Sequence, residues 1–185
     1  ITDNPGGNAM LSPDTLGTDL ISRGQEIIIH LSCKDWNRNA LQSRAWELAS
    51  AGFHNVLALS GDYPISGYRG QAVPVFDIDS VGLLEMLSDL NRGLKVEGLK
   101  PGSVETLGRT NFFLGAAVSP FKLQERELMP QYFKLARKVE SGAAFVITQL
   151  GYDSRKFDEL LRYAALRGLN VPFIANVYVL GLAAA

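Results

Sequence analysis

A polar helix end, a glycine, a short apolar run and a cluster of polar side chains follow one another three times in this sequence. That repeat restricts the fold more than any other feature. The fullest copy reads Lys138-Val139-Glu140-Ser141, Gly142, Ala143-Ala144-Phe145-Val146-Ile147-Thr148, then Gln149, Tyr152 and Asp153. Glycine accepts the left-handed conformation that ends many helices. A short apolar run without alternation suits a strand buried on both faces. Asp153 then suits the N-cap of a helix over Ser154 to Leu166. A second copy runs from Ala51 to Leu59 and ends in Ser60-Gly61-Asp62; a third runs from Arg167 to Ala175 and ends in Asn176 and Tyr178. Helices alternating with such strands predict a parallel α/β protein. In that architecture the chemistry sits at the carboxyl ends of the strands.

The intervening sequence fits the same grammar. Ser12 and Pro13 predict a helix start, with the helix reaching about Arg23 and weakened by Gly17. Glu26 to Cys33 contains three consecutive isoleucines and reads as a fully buried strand. Asn37 caps a predicted helix from Arg38 to Ser50, whose apolar face is Leu41, Ala45, Leu48 and Ala49. A long loop reaches about Asp77, and loops of that length inside a compact domain are often functional. Asp79 or Ser80 opens a helix to Arg92, with Val81, Leu84, Leu87 and Leu90 as its buried stripe and Leu83 and Met86 beside it. Residues 93–109 read as an excursion, a short hairpin turning at Lys100-Pro101-Gly102, before a strand from Asn111 to Val118. A helix to Ser141 follows, from near Glu125 or Pro130, with Pro130 at its first turn or at a break.

Composition narrows the function. The chain has 185 residues and a formal net charge of -1, which gives no clustered basic footprint for nucleic acid. No run approaches a membrane span. The single cysteine excludes an internal disulfide and fits a reducing, cytoplasmic setting. Metal-ligand spacing is absent, so no metal site is expected: His30 and Cys33 are no recognised pair, and His54 sits at the start of its strand, on the opposite rim. Strands near 26, 54, 111, 143 and 171, with Ile1-Thr2 as the tail of another, suit a (β/α)8 barrel. The expected domain is a single partial barrel over residues 1–185, roughly strands two to seven, with the first and last units missing. The rival, an open doubly wound sheet, wants a Gly-x-Gly-x-x-Gly after a strand, and Gly61 and Gly67 lack that spacing.

The predicted strand-end groups are Thr2 and Asp3; His30, Ser32 and Asp35; Ser60 and Asp62; Ser119; Gln149, Tyr152 and Asp153; Asn176 and Tyr178. Capping alone explains Asp153, Asp35 and Asn37. His30 admits both a core histidine with a backbone partner and a role at the mouth. Asp62 and Gln149 begin no helix and stand where apolar strand gives way to polar loop. Cys33 has no identifiable base to make it a nucleophile.

Four motifs occur in one order: His30-Leu31-Ser32-Cys33; Ala58-Leu59-Ser60-Gly61-Asp62-Tyr63-Pro64; Gly115-Ala116-Ala117; and Arg137 to Ala143 followed by Ile147-Thr148-Gln149. Together they resemble the methylenetetrahydrofolate reductase family. The resemblance implies an oxidoreductase barrel of one-carbon metabolism and methionine biosynthesis that binds FAD at its mouth. It implies reduction of 5,10-methylenetetrahydrofolate to 5-methyltetrahydrofolate, with NADH or NADPH as electron donor. By motif, Thr2, His30 and Gly61 contact the flavin. Asp62 is the catalytic carboxylate, stabilising the cationic iminium form of the folate. Lys138, aided by Lys134 and Gln131, takes the FAD phosphates, Phe76 the adenine end, and Gln149 the pterin. The sequence departs from the family pattern at Ser60 (often Arg), at Asp3 (a Tyr) and at Val118 to Lys122 (a Tyr-Pro-Glu-x-His pattern), leaving Lys122 or Lys134 to compensate. The family's catalytic Glu belongs to a first strand that these residues do not include, so the 185 residues alone are expected to be inactive. The alternatives are a non-catalytic flavin- or folate-binding barrel and a pterin-binding methyltransferase barrel. A homo-oligomer or an additional domain is compatible with each.

Overall fold

A computed structural model describes residues 1–177, and Tyr178 lies outside the described residues. The chain divides into two compact units, Ile1–Leu114 and Gly115–Ala185.

The first unit starts with a single 3-10 turn at Pro5–Gly7 and helix α1, Pro13–Ser22. Ser12 flanks α1 without capping it; its hydroxyl bonds the Asp14 carboxylate instead. Gly17 has a packing reason to be there: a Cβ at that position would lie 2.6 Å from the Phe53 ring and 2.9 Å from Ile27. Strand β1, Ile28–Ser32, is followed by α2, Arg38–Ser50, whose N-cap Asn37 accepts from the Ala40 amide at 2.9 Å. Strand β2, Asn55–Leu59, pairs with β1 in parallel, Ile28 opposite Asn55 and Ser32 opposite Leu59. The one-turn segment α3, Gly67–Gly70, interrupts the long loop. Helix α4, Ser80–Arg92, is capped by Asp79, whose carboxylate accepts from the amides of Val81 and Gly82. Its buried stripe is Leu83, Leu84, Leu87 and Leu90. The excursion is an antiparallel hairpin, β3 at Lys95–Glu97 and β4 at Val104–Thr106. Strand β5, Phe113–Val118, begins in this unit, where the Phe113 amide donates to the His54 carbonyl at 2.8 Å.

The second unit continues β5 and adds α5, Glu125–Glu140, β6, Phe145–Thr148, α6, Ser154–Leu166, and β7, Phe173–Ile174. Strands β5, β6 and β7 pair in parallel, Gly115 opposite Phe145 and Val146 opposite Phe173. Val118, Leu128, Tyr132, Leu135, Val146 and Leu160 form the core of this unit. Pro130 neither starts nor breaks α5 but sits inside it, exposed. One missing backbone bond near the start of a long helix is tolerated on a face open to solvent.

The repeated glycines do what the pattern demands: Gly52, Gly142 and Gly168, each just past a helix, have φ of 83°, 110° and 66°. The burial of β1 also departs from expectation. β1 is not buried on both faces: Ile29 and Leu31 are buried while Ile28 and His30 are half-buried, because the strand alternates once it pairs with β2. No described helix is long and apolar enough to cross a membrane.

Candidate functional site

In the first unit Ser32 and Asp35 lie at or just past the carboxyl end of β1, and Ser60 and Asp62 just past that of β2. The amino-terminal residues lie alongside β1. The Ile1 amine donates to the Ile28 carbonyl at 2.6 Å and the His30 amide to the Ile1 carbonyl at 2.9 Å, a parallel ladder rung. Thr2, exposed, follows that rung directly. Asp3 turns inward, its carboxylate accepting from the Ser32 amide at 3.1 Å and the Ser32 hydroxyl at 2.8 Å. The residue that departs from the family pattern at position 3 therefore ties this segment to the end of β1.

His30 is not at the exit of its strand. It is the middle residue of β1, opposite Leu57, with its side chain half-buried. Burial lowers its pKa to about 4. The imidazole is thus neutral at neutral pH, with one donor and one acceptor nitrogen.

Beyond β2 the chain turns at Gly61, with φ of 88°. Asp62 is exposed on that turn. Ser60 faces elsewhere: its hydroxyl accepts from the Ser80 amide at 3.1 Å and bonds the Ser80 hydroxyl at 3.2 Å, joining the end of β2 to the start of α4. The loop that follows carries three non-glycine residues in the left-handed region, Tyr68, Arg69 and Phe76. Such conformations persist only where the surroundings enforce them. The rings of Tyr63 and Phe76 approach to 6.3 Å, so Phe76, at 36% exposure, is part of an aromatic pair at the rim of the loop. Arg38 clamps Asp77 through Nε–Oδ2 at 3.0 Å and Nη2–Oδ1 at 3.1 Å, holding that carboxyl below its usual pKa.

Lys34 is the residue the sequence reading missed. It lies just past β1 with 2% exposure, and its Nζ pairs with Asp35 Oδ2 at 2.5 Å. Asp35 was expected as a capping residue; Asn37 does the capping, and Asp35 serves the ion pair and accepts from Asn4 Nδ2 at 3.1 Å. A Lys-Asp pair after an apolar run looks like a solvated loop, and nothing local in the sequence signals its burial.

In the second unit, Gln149 directly follows β6, its amide donating to the Val118 carbonyl at 2.7 Å and its side chain exposed. The Asn176 amide donates to Thr148 Oγ1 at 3.0 Å and the Gly151 amide to the Asn176 carbonyl at 3.3 Å. These bonds set the loop after β6, in which Tyr152 is exposed. Asp153 caps α6 through the Arg155 amide, as expected. Gln131, Lys134 and Lys138 lie about one turn apart along α5, each half-buried. Lys138 Nζ donates to the Ala117 carbonyl of β5 at 2.7 Å.

Two clefts of about 290 and 430 Å³ open at the amino end of β2 and beside α2. The first is lined by Phe53, His54 and Asn55, the second by Trp46, Leu107 and Arg109; neither includes a candidate residue. The position of His54 at the start of β2 matches its expected place away from the site. Cys33 is buried, its amide bonded to the Leu59 carbonyl.

Comparison with known proteins gives these positions a context. The family model for methylenetetrahydrofolate reductase matches residues 1–181. Methylenetetrahydrofolate reductase 2 of Saccharomyces cerevisiae is 26% identical over 182 residues, covering 96% of this chain and 28% of the yeast protein. A probable methylenetetrahydrofolate reductase (NADPH) of Caenorhabditis elegans is 25% identical over 154 residues, covering 83% of this chain and 20% of the relative. 5,10-Methylenetetrahydrofolate reductase of Salmonella typhimurium is 23% identical over 154 residues, covering 83% of this chain and 44% of the relative. The chain spans less than half the length of each.

Proposed function

Because the chain belongs to the methylenetetrahydrofolate reductase family, we propose that the protein carrying it reduces 5,10-methylenetetrahydrofolate to 5-methyltetrahydrofolate, with FAD as cofactor and NADH or NADPH as electron donor. The parallel strands of both units then belong to a (β/α)8 barrel. The observation that carries the reading is the Gly61-Asp62 turn at the carboxyl end of β2, an exposed carboxylate on a left-handed glycine, in a chain matched by the family over residues 1–181.

The side chains present fit a flavin dinucleotide. His30, neutral at neutral pH, suits hydrogen bonding to an uncharged ring edge, with Thr2 and Gly61 beside it in the reading. Lys134 and Lys138, with Gln131, offer a cationic helix face of the kind that phosphates need. Phe76, paired with Tyr63, offers an aromatic surface for the adenine. FAD, when bound, supplies a two-electron carrier between nicotinamide and folate. The protein's own part is electrostatic and positional. Asp62 places negative charge where the folate develops an iminium cation, and that interaction strengthens as water is excluded. Gln149, an amide with both donor and acceptor atoms, suits the donor-acceptor edge of a pterin.

The test is made on the full protein. FAD should be released on denaturation, bleach anaerobically with NADH or NADPH, and be reoxidised by 5,10-methylenetetrahydrofolate. Gln149→Ala should weaken folate binding by roughly tenfold, the loss of about one hydrogen bond, with FAD content unchanged. A protein that carries no flavin, or a Gln149→Ala variant that loses it, contradicts the reading.

A further inference from the structure

We propose that Lys34 is a positioning residue that sets the Gly61-Asp62 turn and closes the loop over residues 61–77. Lysine is almost never fully buried unless it is paired. Here the side chain is 3% exposed, against 29% for its partner Asp35. Three separate contacts run through this residue. Its Nζ holds Asp35, which in turn holds Asn4 in the segment that follows Thr2. Its backbone carbonyl accepts from the Val75 amide at 2.7 Å, fastening the far end of the loop. Its methylenes fill the space beside Gly61: a Cβ there would lie 2.8 to 3.0 Å from Lys34 Cδ, Cγ and Cβ. The lysine stem therefore packs against the backbone that carries Asp62.

Removing the ammonium frees Asp35 and with it the anchor that fixes the lysine stem against Gly61, while the backbone bond to Val75 remains. Asp35 has solvent access, so Lys34→Met should fold; Lys34→Met with Asp35→Asn removes the uncompensated charge and covers the case in which it does not. Loop opening is read by trypsin cleavage after Arg69, in a loop whose Tyr68 is 77% exposed. Cleavage of a transiently open segment follows the open population, so Lys34→Met, or the double variant, should be cut roughly tenfold faster than the parent at unchanged melting temperature. Unchanged cleavage overturns the proposal.

The catalytic consequence rests on the folate reductase reading. In the full protein the same variant should lower kcat of folate reduction about tenfold, with a smaller effect on KM, as expected when a group acts mainly in the transition state. Flavin reduction by nicotinamide should be retained. A faster-cut loop with unaltered folate kcat overturns the positioning role. A parent protein that never reduces the folate contradicts the functional reading and leaves the loop result to decide the structural claim.

Discussion

Tyr132 puts a phenol in the core of the second unit with no hydrogen-bond partner for its hydroxyl among the described residues. Its ring stacks on Tyr163 at 4.7 Å, and the Tyr163 hydroxyl reaches the Tyr132 carbonyl instead. Burial, with the charge of Glu159, pushes the Tyr132 pKa up to about 12, so the group stays protonated and desolvated. Tyr132→Phe keeps the packing and removes the unsatisfied hydroxyl. The variant should match the parent or gain about 1 kcal/mol in urea unfolding. Two other residues set the acid limb of stability. His30 has a folded pKa of about 4 against 6.5 unfolded, so the unfolded chain binds the extra proton between those values. Its contribution is intact above pH 6.5 and falls away as pH drops towards 4. Asp14, bonded first to Arg44 and also to Ser12, is lowered to about 2 from 3.8; its contribution is intact above pH 3.8 and falls away as pH drops towards 2. A plot of unfolding free energy against pH should flatten in its upper part in His30→Asn and in its lower part in Asp14→Asn.

At the scale of the element, glycine marks both strand ends and close contacts. Gly115 lies opposite Phe145 across β5 and β6, and a Cβ on it would lie 2.2 Å from that ring. Gly115→Ala should cost about 1–3 kcal/mol in urea unfolding, with part regained when Phe145→Leu is added. The caps at Asn37, Asp79 and Asp153 were legible in the sequence because capping is decided within one helical turn. The hairpin around Lys100-Pro101-Gly102 was legible for the same local reason. Strand starts were not: β2, β5 and β6 begin about two residues later than their apolar runs, because a strand begins where its neighbour offers a ladder partner. Lys34 was illegible because its burial depends on Val75 and Gly61, far along the chain. The mid-strand place of His30 was likewise set by its pairing with β2 and by Ile1.

For the molecule as a whole, each compact unit keeps parallel strands and presents polar groups just past their carboxyl ends. Ser32, Asp35 and Asp62 do so in one unit, and Gln149 and Asn176 in the other. Parallel α/β folds carry their chemistry at the carboxyl ends of the strands, which explains why these positions are polar when the strands behind them are apolar. In the proposed reaction Asp62 acts on the folate and not on the nicotinamide. Stopped-flow measurement of both half-reactions in Asp62→Asn of the full protein tests it most directly. Folate reduction should slow by about 10²-fold, the scale of one lost transition-state charge contact. Flavin reduction by NADH or NADPH should stay close to the parent rate. Equal slowing of the two half-reactions would contradict the account.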